Sequence, residues 1–436
     1  MTGTAFVAIC AGNGISREED MELSFKIGTG SQSVSVADED LLALLQPEEI
    51  LTAAPEEEIL ENALENPIGT PRLREIVRPG EKIAVVTSDI TRPMPTARVM
   101  GPVLDELYAA GCRREDITLV FALGSHRGHI PEERRRLAGE RAWEEIRCTD
   151  ANPNDCVRLG MTRNGTPVDI DRRVAEADRR ICLGNIEYHY FAGYSGGAKA
   201  IMPGVSTRAA IQANHSRMVD PMARAGQLEG NPVRMDIEEA AGLVGVDFIL
   251  NVVLDAHKRI VHAAAGDVTM AHRAGCRYLD KMYRREIPAL ADIVLVSQGG
   301  APKDLNLYQT HKALANAEHA VAPGGVIILA GSCREGLGEA TFQEWMLSAG
   351  EPHALVERIQ REFRLGGHKA AAIAMVLERA DIYLVSELPD DLVRRIFLQP
   401  YPSVEEAYRA AREKCGPGAK VIAMPYGGST LPVLKR

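Results

Sequence analysis

The sequence predicts an α/β protein: two α/β domains with mostly parallel sheets, joined by helices, with the active site in the interdomain cleft. Three observations predict it. The chain has 436 residues, more than one ordinary core encloses, so two domains are expected. Short apolar runs bounded by turn residues, such as Ile83-Ala-Val-Val86, read as strands buried on both faces. These runs alternate with helical periodicities and short loops, as in parallel sheets with crossover helices.

In chain order, residues 1–20 are expected to be a loose extension, because Met21 begins a clean strand-like run. Residues 23–27 alternate apolar and polar, and 34–36 are extended beyond the turn-rich Gly28-Thr-Gly-Ser31, so the pair reads as a hairpin. Ile59, Leu60, Ala63 and Leu64 mark one helical face that ends near Pro67 and Gly69. Strand 82–87, helix 96–110 stopped by Gly111, strand 117–122, helix 131–138, strand 180–184 and strand 247–254 follow. Residues 21–267 are thus expected to form the catalytic domain.

A helix with few breakers at 268–285 is the expected connector, assigned to 268–288. A second set occupies 289–436: strand 292–297, helix 306–320, strand 326–330, helices within 341–363, strand 382–386, helix 404–414 and strand 420–425. The final segment is expected to pack back on the first domain.

With 45% hydrophobic and 25% charged residues the composition is that of a globular protein. A net charge of −10 argues against a nucleic-acid partner, which needs clustered Lys and Arg. No apolar run approaches the roughly 20 residues that span a bilayer, so no membrane partner is expected. The apolar stretch at 4–11 lacks a preceding basic segment, against a signal peptide. Eight scattered cysteines without a CxxC pair suit a reducing cytoplasm. The oligomeric state is left open.

The candidate chemistry lies where ligands gather in such sheets, beyond the carboxyl ends of strands. Residues 187–218 hold His189, His215, Lys199 behind Gly196-Gly197, and the aromatics Tyr188, Tyr190, Phe191 and Tyr194. His126 follows another strand. Imidazole suits acid–base work and metal ligation; each histidine could equally be a hydrogen-bonded structural one. His189 and His215 are too far apart for an HExxH-like pair, so spacing specifies no zinc site.

Gly193-Tyr-Ser-Gly-Gly-Ala-Lys199 resembles a phosphate-cradling loop but lacks the P-loop ending; a tight turn with a solvated lysine is the alternative. A lysine in apolar surroundings can lose its proton and bond covalently to a carbonyl-type group. Asp89-Ile-Thr-Arg-Pro93 offers Arg92 as a carboxylate clamp, unless Asp89 and Thr91 only cap the next helix. Gln309 and Lys312 share a helical face that could reach one ligand or simply be solvated.

Five motifs in order (DITRP at 89–93, ALGSHR at 122–127, YHYFAGYSGGAKAIMPGVS at 188–206, NHSRM at 214–218 and LYQTHK at 307–312) make the chain resemble the nickel-dependent lactate racemase family. The resemblance covers nearly everything from Met21 onward. It implies a covalently attached nickel-pincer nucleotide, a pyridinium-dithio mononucleotide carrying nickel, which a heterologously made sample need not contain. Lys199 would attach it through a thioamide and His215 would ligate nickel. Asp89, Thr91 and Arg92 would contact the cofactor, and His126 and His189 would be the acid–base pair. Arg92, Gln309, Lys312 and Phe191 would bind or wall in a small anionic 2-hydroxy acid. The implied reaction is racemisation or epimerisation of a 2-hydroxy carboxylate, lactate or a relative, by reversible hydride transfer. A zinc-dependent hydrolase built on the three histidines and a non-catalytic anion-binding protein are the alternatives.

Overall fold

A computed structural model describes residues 20–48 and 54–435; the expected extension therefore lies, up to residue 19, outside the described residues. Two six-stranded sheets organise the chain. In the first, the order is Ile260–Gly266, Phe248–Leu254, Arg179–Asn185, Ile83–Ser88, Ile117–Ala122, Arg147–Asp150. Only the pair between Phe248–Leu254 and Ile260–Gly266 is antiparallel. The chain enters at Ile83–Ser88, builds outward on one side, then returns to the other side with Arg179–Asn185. That reversal opens a crevice beyond the strand ends, where neighbouring loops diverge.

The second sheet is parallel throughout, in the order Gln399–Tyr401, Asp381–Val385, Val321–Ala330, Ala291–Ser297, Val421–Met424, Leu41–Leu44. Its central strands are buried on both faces: Ile293, Val294 and Leu295 are all inaccessible to solvent. This explains why they read as unbroken apolar runs rather than alternations.

Two expectations are corrected here. The first concerns the start of the catalytic domain at residue 21. The hairpin Asp20–Ile27 with Gly30–Ala37 instead packs Leu23, Phe25, Val34 and Val36 against Ile293, Leu295, Val326 and Ile328 of the second sheet, and Leu41–Leu44 joins that sheet. Alternation identifies a half-buried strand, but not which distant surface buries it.

The second concerns the connector at 268–288, which is helical only over Met270–Tyr283. Cys276, Leu279 and Met282 form its buried stripe, packed on Val253 and Val261, so the helix covers the first sheet rather than bridging the two. Arg284–Ile287 is extended and pairs in parallel with Leu431–Leu434, which ties the C-terminal segment to the end of this helix. Among the described residues no helix is long and apolar enough to cross a membrane, and the seven cysteines are all free.

Candidate active site

Three loops meet at the crevice of the first sheet. After Ile83–Ser88 the chain turns at Asp89, whose carboxylate is 3% exposed. Thr91 Oγ1 donates to Asp89 Oδ1 (2.9 Å), and His126 Nδ1, arriving after Ile117–Ala122, lies 2.6 Å from Asp89 Oδ2. Burial pushes the Asp89 carboxyl up. The hydrogen bond and charge of His126, the Thr91 bond and Arg92 outweigh it and hold the group below its usual range. Asp89 therefore keeps the His126 proton on Nδ1 and leaves Nε2 open.

His129 was not singled out from the sequence, although it lies only three residues beyond His126. Its Nδ1 bonds Asp150 Oδ1 (2.7 Å) and its Nε2 accepts from Ile90 N (3.1 Å), which fixes the Asp89–Arg92 turn.

After Arg179–Asn185 a two-residue hairpin, Tyr188–His189 with Gly193–Tyr194, carries His189 and Phe191 inward. Arg234, fully buried on helix Pro232–Val244, holds it by donating to the carbonyls of Ala192 (3.1 Å) and Tyr194. Charged donors to carbonyls contribute about 1.5–3 kcal/mol each. Arg234→Met should therefore lower the apparent Tm by several degrees; an unchanged thermal unfolding curve would show that this clamp is not needed.

The glycine pair is no anion cradle. Gly197 N–H donates to the buried Asn251 Oδ1 (2.7 Å), and a Cβ on Gly196 (φ +76°) would meet that oxygen at 2.7 Å. The turn is tight, as one alternative held, but its lysine is not solvated. Lys199 is partly buried, has no carboxylate partner among the described residues, and has its Nζ 5.9 Å from the Phe191 ring centroid. Burial, then the charges of Arg234 and Arg92, push its ammonium well below the ordinary lysine range.

His215 ends helix Arg208–His215 and is 6% exposed. Its Nδ1 donates to Asn214 Oδ1 (2.8 Å), and Asn214 Nδ2 is fixed by Val233 O and Asp236 Oδ2 (2.8 Å). A neutral imidazole held in this way presents Nε2 as a lone pair, the form that ligates a metal. Burial, then Lys199, His368 and Arg92, keep it neutral.

His189 is also pushed well below its ordinary range, first by burial and then by Lys199, Arg92 and His215; its Nδ1 accepts from Ala192 N (3.3 Å). A closed circuit of rings links these groups. Phe191 lies edge-on to His189 (4.5 Å) and His215 (5.0 Å), and His215 to Phe363 (4.8 Å). Phe363 meets His368 (5.5 Å), His368 stacks on Tyr190 (6.1 Å), and Tyr190 meets Phe191 (4.8 Å).

Phe363 and His368 come from the part of the chain that builds the second sheet, so the site is shared between the two halves. Reading the sequence missed both. The polar pair His368-Lys369 behind Gly366-Gly367, opening the otherwise apolar helix Gly367–Leu377, was the available signal. Gln309 and Lys312 lie exposed on one face of helix Leu307–Ala317, and Arg92 is exposed. The Arg92 charge acts on His189, Lys199, His215, His368 and Lys369, at the centre of the group.

The residues fit a lysine-attached, histidine-ligated group. Lys199 has an amine free of acids, and His215 has one nitrogen engaged and one presented. They do not fit the three-histidine zinc site: among the described residues no three His, Cys, Asp or Glu side chains come together as a ligand set. His126 is committed to Asp89, and His215 to Asn214.

Burial has a consequence for stability. His272 and His311 are 1% exposed, and burial holds them, together with His319 at about 3, below the ordinary histidine value. Below about pH 6.5 the unfolded chain takes up protons there that the folded chain refuses, so stability falls as pH falls, by about 1.4 kcal/mol per pH unit for each such group. The apparent Tm should be lower at pH 5.5 than at 7.5; an equal or higher value at 5.5 would contradict this.

Comparison with known proteins gives consistent matches. The family model described as the lactate racemase N-terminal domain matches residues 27–226, and that of the lactate racemase C-terminal domain matches 287–431. Lactate racemase of Thermoanaerobacterium thermosaccharolyticum is 33% identical over 386 residues, 86% of this chain and 90% of that protein. Lactate racemase of Lactiplantibacillus plantarum is 33% identical over 383 residues, 85% and 90% of the two chains. The solved apoprotein structure of the former superposes with a TM-score of 0.84 at 31% identity, covering 95% of this chain and 100% of that one. A Thermotoga maritima protein matches at TM-score 0.60 over 89% of this chain and 100% of that one; at 19% identity this bears on the fold alone.

Proposed function

Because the chain belongs to the lactate racemase family, we propose that it is a racemase or epimerase of a 2-hydroxy carboxylate that works with a lysine-attached nickel-pincer nucleotide. The observation that carries this reading is the joint setting of Lys199 and His215: an acid-free amine and a neutral imidazole with one nitrogen presented, both against Phe191. Lys199 would hold the group through a thioamide and His215 Nε2 would ligate the nickel. An imidazole nitrogen is a donor that would suit Ni(II). When bound, the group supplies a reversible acceptor for the substrate's α-hydrogen and its electron pair.

The chain's own residues do the rest. Arg92 and Lys312 offer cations to the substrate carboxylate, with Gln309 beside them; the Arg92 fork suits bidentate binding. His126 Nε2 takes the hydroxyl proton of one enantiomer as the planar 2-oxo acid forms, and His189 gives a proton to that oxygen as the other enantiomer forms, since inversion swings the oxygen across; in the reverse direction the two exchange roles. Phe191 and Phe363 exclude water between them. Asp89 acts as a positioning residue for His126, a role beyond the cofactor contact first expected of it. A reducing cytoplasm suits the free cysteines.

Asp89→Asn should lower kcat on the order of 10²-fold with KM nearly unchanged, because the amide no longer imposes the Nδ1–H tautomer. Unchanged kcat would remove Asp89 from this role. The test of the function as a whole is polarimetry of cofactor-loaded protein with enantiopure 2-hydroxy acids: rotation should decay to zero or to an epimer equilibrium. Constant rotation across the set, with loading verified by mass, would refute the proposal.

A further inference from the structure

The chain carries a net charge of −10, yet four exposed lysines from both of its halves gather beside the candidate site. Lys303 follows strand Ala291–Ser297, and its N–H donates to Gly300 O (3.0 Å). Gly300 lies against the first hairpin, where an added Cβ would meet the Cβ of Lys26 at 3.1 Å. That hairpin is fixed in place, since Gly28 N donates to the buried Asp304 Oδ2 (2.7 Å) and Ser297 Oγ to Lys26 O (2.6 Å). Lys312 stands on helix Leu307–Ala317. Lys258 comes from the first half, in the turn between Phe248–Leu254 and Ile260–Gly266, and its Nζ lies 3.8 Å from Glu187 Oε1, just before the His189 hairpin. Desolvation, then the charges of Lys258, Lys312 and Lys26, push the Lys303 ammonium below its ordinary range, and no carboxylate acts in the opposite sense. Among the described residues Lys26, Lys303 and Lys312 have no carboxylate within ion-pair distance; Lys258 alone of the four has one.

Like charges held together repel one another, so the grouping does not serve stability. An ordinary solvated face would also be interspersed with acids, in a chain that has 60 of them against 50 Lys and Arg. The basic strip continues inward instead: Lys312 and Arg92 act together on Lys369, and Arg92 acts on His189. We propose that Lys26, Lys258 and Lys303 form a collecting rim, which draws a small anionic substrate to the cleft and passes it to Lys312 and Arg92. This goes beyond the racemase reading and rests on it for the identity of the anion. Charge of one sign around a cleft raises the local concentration and encounter rate of an opposite ligand by about 10–10³-fold. Salt removes the effect, because the screening length is about 10 Å at 0.1 M and about 3 Å at 1 M. A rim that never touches the reacting atoms therefore acts on KM and leaves kcat alone.

The test compares cofactor-loaded wild-type protein with the triple variant Lys26→Gln, Lys258→Gln, Lys303→Gln, using L-lactate and polarimetry from low salt to about 0.5 M sodium chloride. Wild-type kcat/KM should fall roughly tenfold over this range at constant kcat; the variant should start roughly tenfold lower, and the two should converge at high salt. Equal salt dependence in both proteins, or a loss confined to kcat, overturns the proposal. A second measurement needs no turnover: relaxation enhancement of the Ala301 and Lys312 amide protons by an anionic and a cationic nitroxide of equal size. The anionic probe should act at least about twice as strongly on the wild type, and the excess should vanish in the variant. Equal enhancement by the two probes in the wild type overturns the rim whatever the kinetics show. Constant optical rotation with L-lactate and every other 2-hydroxy acid, with loading verified by mass, sinks the racemase reading, while the nitroxide result still decides whether the rim collects anions.

Discussion

Lys199→Ala should leave the protein folded, without any covalent mass increment, and with racemisation at background. The expectation follows from the environment of the amine. Dense packing and the charges of Arg234 and Arg92 disfavour its ammonium form, so the nitrogen has a lone pair available for bonding to a carbonyl-type carbon. Its pocket supplies no carboxylate to restore the proton. Removing an unpaired amine from such surroundings relieves desolvation rather than breaking an ion pair, so the melting temperature should not fall. The full experiment is intact mass, Tm and polarimetry on the same sample grown with the cofactor-making enzymes. A retained mass increment on the variant would place the attachment elsewhere, and retained activity would show that attachment is dispensable.

His126→Ala and His189→Ala should each lower turnover by about 10²–10⁴-fold, the usual range for losing a positioned acid or base. Each should do so from both enantiomers. The reason is microscopic reversibility: one imidazole takes the hydroxyl proton in one direction and must return it in the other. The two are set up differently. His126 is braced by Asp89 at 2.6 Å with Nε2 open, whereas His189 accepts a backbone N–H at Nδ1 and is held neutral by burial and its cationic neighbours. A substrate carboxylate brought in by Arg92 adds the negative charge that opposes this shift. The rate loss should therefore appear in kcat, measured from each enantiomer separately. If either alanine variant keeps more than a tenth of wild-type turnover in one direction, that histidine is not the proton carrier on that face.

Much of the candidate site was legible along the chain because its proposed parts follow strand ends directly. Asp89 and Arg92 come after one strand, His126 after the next, and His189 and Lys199 after a third. A parallel sheet aligns such positions at one edge without any knowledge of side-chain packing. The strands themselves were equally legible, since residues such as Val85, Ile181 and Leu295 lie in runs that only a doubly covered sheet buries.

The residues that steer these groups were not legible. His129 holds the Asp89 turn, Arg234 clamps the His189 hairpin from 40 residues away, and Asn251 occupies the glycine turn from 54 residues away. His368 and Lys369 reach the same region from a helix that belongs with the second sheet. Local pattern carries no information about such pairings.

By itself, then, the order of residues determined which segments become strands and helices and which loops carry the polar groups, because period and turn chemistry are local properties. Tertiary structure decided which sheet receives the first hairpin, where the helix after residue 268 packs, and which proton each histidine keeps. Those outcomes depend on surfaces and partners that local pattern does not specify, 37 residues away for Asp89 and His126 and on a distant sheet for the first hairpin, and only burial of the folded chain makes Leu23 and Phe25 a part of the second core or leaves Lys369 without an acid.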